Sequence, residues 1–128
     1  MDSVIFPLVE TENGPVKGLK SVSVLNTDYF SFRGIPYMKP PLGKLRFRDA
    51  QSPRNWSEAF DATQEGPSYC MTDFITSQKD GQENAGTINV FTKDLKPKRL
   101  FPVMIWVSFF FRLSDLSKKT FKGRKQNL

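Results

Sequence analysis

Apolar and polar residues alternate in short runs along the front of the chain. Residues 8–11 and 15–19 flank Asn13-Gly14, a pair that favours a tight turn, so this region predicts a β-hairpin. Residues 22–25 and 29–32 are further strand candidates, and 87–92 is a β-branched and aromatic run of strand length. Residues 101–107 form a continuous apolar run, which predicts a strand buried on both faces of a sheet. Residues 54–83 have no clear period and predict loop with at most one short helical turn. No apolar stripe at helical spacing predicts a long helix, except as a candidate in the last 21 residues (108–128).

The stretch 32–48, FRGIPYMKPPLGKLRFR, breaks this regularity. Gly34 accepts backbone angles closed to other residues and suits a strand that turns sharply. Pro36, Pro40 and Pro41 each fix φ, remove a donor and push the preceding residue toward extended geometry. Regular helix is thereby excluded from 35–43. The expectation is a strand ending near Phe32, a rigid extended loop, and then a segment with Leu45 and Phe47 on one face and Arg46 and Arg48 on the other. A polyproline docking segment is the alternative reading of the prolines. Tyr29, Phe30, Phe32 and Tyr37 read more simply as packing aromatics.

These residues carry a family resemblance. FRGIPYMKPPLGKLRF resembles the F-x-GIPYA-x-PPLG-x-LRF block of type-B carboxylesterases, the cholinesterase-like branch of the α/β-hydrolase fold. Val9-Glu10-Thr11 with Gly14, Val16 and Gly18 is similar to that family's opening hairpin. Trp56 and Phe60-Asp61-Ala62-Thr63 match its next landmark. Gly81-Gln82-Glu83 and Ile88-Asn89-Val90-Phe91-Thr92 resemble its SEDCL-x-LNVYT block, and Phe101 to Trp106 resembles the strand entering its HGGG loop. Several motifs in the right order are more specific than a single pattern match. Asp73-Phe74-Ile75-Thr76 and Lys93-Asp94-Leu95 are similar to insect α-esterases. The resemblance implies the N-terminal part of an α/β-hydrolase fold: mainly strands and loops, a small hairpin sheet plus the first strands of the central sheet, with most helices missing. Residues 1–107 are expected to form this portion, and 108–128 a divergent, basic, Phe-rich, disordered tail.

What the family needs for chemistry is not written in these residues. After Trp106 the family continues into HGGGF, whose backbone N–H groups face the developing oxyanion. Here the text is Val107-Ser108-Phe109-Phe110-Phe111-Arg112, with no glycine before Gly123. The family's triad uses a serine in G-x-S-x-G, an acid and a histidine. No G-x-S-x-G occurs, and the chain has no histidine. The expected catalytic, cofactor-binding and metal residues are therefore none, and no cofactor is expected. Asp73, Asp80 and Glu83 lack EF-hand spacing, and no P-loop or dinucleotide fingerprint is present.

The resemblance also implies a structural pair. In the family the arginine of LRF pairs with the glutamate of SED, and the matching residues are Arg46 and Glu83. Their ion pair is expected to be buried and hydrogen-bonded; two separate surface charges are the alternative. The family's cysteine at the position of Cys70 bonds the one in SEDCL, which here is Ala85, so Cys70 is expected to be an unpaired thiol. A single cysteine suits a reducing compartment or an apolar burial site. Asn55-Trp56-Ser57, a formal glycosylation acceptor, reads as a turn beside a packed tryptophan.

Charge divides unevenly. The chain carries 19 basic and 13 acidic residues, net +6. Six of the basic residues and one acidic residue fall in 108–128, so the body is nearly neutral. The tail shows no nucleic-acid module, and no nucleic-acid partner is expected. No apolar run reaches the roughly 18 residues of a membrane span. The first seven residues lack a basic start and a long apolar core, so a cytoplasmic location is expected. The uncharged β-prone run 101–111 predicts self-association or aggregation. Three readings result: a carboxylesterase segment that is catalytically empty as written, a non-catalytic binding or decoy product using the tail, or an enzyme of unknown chemistry. The first is favoured. The substrates it implies, small-molecule esters, belong to the full-length family.

Overall fold

The computed structural model describes residues 6–72 and 77–107. The tail 108–128, with its expected disorder and candidate helix, and the Asp73–Thr76 motif lie outside the described residues.

Two small sheets share one core. In the first, β1 (Leu8–Thr11) pairs antiparallel with β2 (Gly14–Lys17), from Leu8↔Lys17 to Thr11↔Gly14. The hairpin forms, but its turn falls at Glu12-Asn13, one residue before the expected Asn13-Gly14 pair, and Gly14 opens β2 with φ +135°. A side chain there would be strained, and its Cβ would clash with the Trp56 carbonyl oxygen. Trp56 clamps the hairpin by donating its indole N–H to the Pro15 carbonyl at 2.8 Å and its backbone N–H to Asn13 at 2.8 Å. β5 (Phe60–Asp61) then adds in parallel to β2.

The second sheet has the order β3-β4-β8 and is antiparallel throughout. β3 (Leu19–Val22) turns through Ser23–Thr27 into β4 (Asp28–Pro36), and β8 (Thr87–Thr92) lies on the other side of β4. β6 (Met71–Thr72) and β7 (Lys79–Asp80) form a separate short hairpin, extended by a Tyr69↔Gln82 bridge. The core joins the two main sheets. Val16 of β2, Phe32 of β4 and Ala62 beyond β5 are buried, with Val9, Phe30, Ile35, Trp56, Phe60 and Leu95 packed around them. The Arg33 N–H, donating to the Ala62 carbonyl at 2.7 Å, ties the sheets through backbone as well.

Five expectations need correction. Residues 101–107 form no strand and are exposed, with Met104 95% and Trp106 92% accessible. A doubly buried strand needs neighbours on both edges and both faces, and no described residue supplies them. The 22–25 candidate ends at Val22, because the Ser23 N–H bonds the Thr27 carbonyl at 2.9 Å and the chain reverses. β4 does not stop near Phe32. A bulge between Phe32 and Ile35 carries it on to Pro36, whose missing donor is tolerated at a strand end. Residues 43–48 do not alternate: Gly43–Leu45 is a single 3₁₀ turn and Phe47 is exposed, so Leu45 and Phe47 share no buried face. The loop region 54–83 holds β5, β6 and β7 and, among the described residues, no helical turn.

Candidate functional site

The stretch 32–48 and the residues it meets make up the candidate site. At one end, Arg46 leaves the 3₁₀ turn and Glu83 follows the Tyr69↔Gln82 bridge. Arg46 Nη1 lies 3.3 Å from Glu83 Oε1, with the two side chains 58% and 46% exposed. The pair thus sits at the surface and not in the expected burial, because no described residue packs over it. Water screens such a pair strongly, so its attraction is modest. The Arg46 guanidinium also stands over the Phe47 ring, 5.3 Å from its centroid. Phe47 itself takes φ 61°, a left-handed conformation unfavourable for a bulky residue.

At the other end is the bulge. Gly34 takes φ +69°, and its N–H donates to Asn89 Oδ1 at 2.8 Å. A Cβ on Gly34 would lie 2.8 Å from the Gly66 nitrogen and 2.9 Å from the Gln64 carbonyl. Gly34 thus gathers β4, β8 and the 64–66 loop at one point. Asn89 was missed as a site residue. Its one signal is its type: a polar amide within the β-prone run Ile88-Asn89-Val90-Phe91.

Cys70 is exposed and unpaired. It borders an open depression of about 290 Å³ with Met71, Thr72, Lys79, Asp80 and Gly81. Ala85, which holds the position of its family partner, is buried. Nearby, partial burial and the adjoining Tyr37 phenol push the Tyr69 hydroxyl above its ordinary range. On the hairpin sheet, the Thr63 hydroxyl and backbone N–H hold the Asp61 carboxyl below its usual value, with Lys17 adding a weaker pull. Asn55 accepts a hydrogen bond from the Asn13 amide at 3.0 Å, and Trp56 beside it packs on the core, in keeping with a turn.

Among the described residues, no grouping of three or more acidic, histidine or cysteine side chains could hold a metal ion. No described helix is long and apolar enough to cross a membrane. The site therefore brings together Arg46 with Glu83, and Gly34 with Asn89, as two fasteners of a scaffold. Cys70 joins neither.

Comparison with known proteins fits this scaffold to a family. The family model described as "Carboxylesterase family" matches residues 6–111. The chain belongs to the carboxylesterase family. It is 39% identical over 99 residues to Esterase B1 of Culex pipiens, covering 77% of this chain and 18% of that protein. It is 34% identical over 110 residues to the juvenile hormone esterase of Tribolium castaneum, covering 81% and 18%. Among solved structures, the juvenile hormone esterase from Manduca sexta matches with TM-score 0.56 and 42% identity, over 62% of this chain and 16% of that one. The chain thus has the strand-rich N-terminal part of an α/β-hydrolase fold, insect-like in sequence. It spans about a fifth of the length of the curated relatives it matches.

Proposed function

We propose that this chain is the scaffold-forming front segment of a carboxylic-ester hydrolase and does not hydrolyse esters by itself. One observation carries the reading: the 128 residues contain no histidine. In a serine esterase the hydroxyl is a weak nucleophile until a neighbouring imidazole takes its proton, and that same imidazole later protonates the leaving group. A carboxylate alone does not replace it. The missing HGGG-type turn points the same way, because an oxyanion needs two backbone donors at close range. What the segment does supply is geometry: the paired hairpin sheet, the β4 bulge and the Arg46–Glu83 clasp.

The test is a p-nitrophenyl acetate assay on the purified 128-residue chain, paired with intact-mass analysis after exposure to an organophosphate. The expected rate equals that of the heat-denatured chain, with no stoichiometric adduct. Saturable turnover, or one adduct per chain on a serine, would overturn the reading.

A further inference from the structure

The chain holds two pairs in which a short carbonyl-bearing side chain precedes glycine, Asn13-Gly14 and Asp80-Gly81. Such pairs can cyclise, because the glycine nitrogen has no neighbouring Cβ to shield it from the side-chain carbonyl carbon. The fold treats the two differently. Asn13 points its amide N–H to Asn55 Oδ1 at 3.0 Å. Asp80 instead turns its carboxylate onto its own neighbour, and the Gly81 N–H donates to Asp80 Oδ1 at 2.7 Å. Asp80 Cγ is one bond beyond that oxygen. The two atoms that must join therefore stand close to the separation of a near-attack arrangement, roughly 3–3.5 Å.

The surroundings hold this geometry. Asp80 is fixed in β7 opposite Met71. Gly81 takes φ +103°, and a Cβ there would clash with the Tyr69 carbonyl, so the position keeps the least hindered nitrogen. The Gln82 N–H donates to the Ser68 carbonyl at 2.7 Å and anchors the far side. Asp80 and Gly81 both border the open depression beside Cys70, which gives water access to them. Every contact that sets the arrangement lies between Ser68 and Gln82.

We propose that Asp80-Gly81 is a self-modifying site, at which the aspartate converts to isoaspartate. The Gly81 nitrogen bonds to Asp80 Cγ as the Cγ–Oδ1 bond breaks. The amide proton and the carboxyl proton leave with that oxygen as water, and the hydrogen bond already aims the amide proton at it. Water then opens the cyclic imide. Addition at the main-chain carbonyl of Asp80 leaves Gly81 joined through Cγ, so the backbone gains one carbon at this point. The register from Gln82 onward shifts, the Gln82–Ser68 bond is lost, and Glu83 is drawn away from Arg46. The inference is independent of whether the chain hydrolyses esters.

Peptide mapping of the full chain after prolonged warm incubation tests this, with residues 77–84 and 10–17 as free peptides for reference. Isomerisation at Asp80 leaves the mass unchanged and is read by electron-transfer fragmentation, whereas deamidation at Asn13 changes the mass. The rate at Asp80 in the folded chain should exceed that in its peptide about fivefold, the gain from pre-setting one short side chain. Gln82→Pro removes the anchor to Ser68 and should return the rate to the peptide's. In the separated isoaspartyl chain, the Gln82 amide should exchange faster. An Asp80 rate no higher in the chain than in the peptide would overturn the proposal. So would a Gln82→Pro chain that keeps the full rate, or an equal acceleration at Asn13, which would place the cause outside the Asp80–Gly81 hydrogen bond.

Discussion

At the scale of single residues, Arg46 and Glu83 show how far a sequence motif reaches. Which two residues meet was legible, because LRF and the residue matching the glutamate of SED are recognisable blocks. How buried they are was not, because burial depends on what else packs nearby. With both side chains about half exposed, the pair belongs with surface ion pairs, and Glu83→Gln should cost under about 1 kcal/mol. Urea denaturation of the variant at low and moderate salt measures this. A loss of roughly 3 kcal/mol or more would mean the pair is desolvated after all. Phe47 had no legible signal. Its φ of 61° is imposed where the 3₁₀ turn ends, and no side-chain pattern announces it.

Among the elements, β4 is the one on which the rest depends, because it pairs with β3 and β8 and contributes Phe32 to the core. Its nine residues run through a bulge at Gly34, whose N–H donates to Asn89 Oδ1. Removing that acceptor leaves a partly buried N–H without its partner, so Asn89→Ala should cost about 1–3 kcal/mol in chemical denaturation. Gly34→Ala should cost more, because it adds left-handed strain to a backbone clash. If Asn89→Ala were neutral, the bulge would be held by packing alone. The hairpin at Asn13-Gly14 and the strand β8 were legible because turn chemistry and β-branching act locally. β5 was not: two residues pair in parallel with β2 only because Trp56 brings the chain back to the hairpin. Residues 101–107 failed in the opposite sense. Their composition suits a buried strand, but strand formation is decided by neighbours, and the described residues offer none on either side.

For the molecule as a whole, the decisive quantity is the size of the core. Among the described residues the buried apolar side chains are Val16, Phe32, Ala62 and Ala85, with Pro7 besides, and only one of them is aromatic. Folded domains retain about 5–15 kcal/mol in total, and small cores sit at the bottom of that range. Phe32 is the large side chain that both main sheets close upon, and truncating such a residue costs about 3–5 kcal/mol. That loss equals most of what a core this small can supply. Phe32→Ala should therefore abolish any cooperative thermal transition. Val24→Ala, in the exposed turn before β4, should stay within about 0.5 kcal/mol of the parent. Near-UV circular dichroism is the suitable probe, because Trp56 packs in the core while Trp106 is exposed and contributes a constant background. A Phe32→Ala chain that still melted cooperatively near the parent temperature would show that stability resides outside the Val16–Phe32–Ala62 cluster.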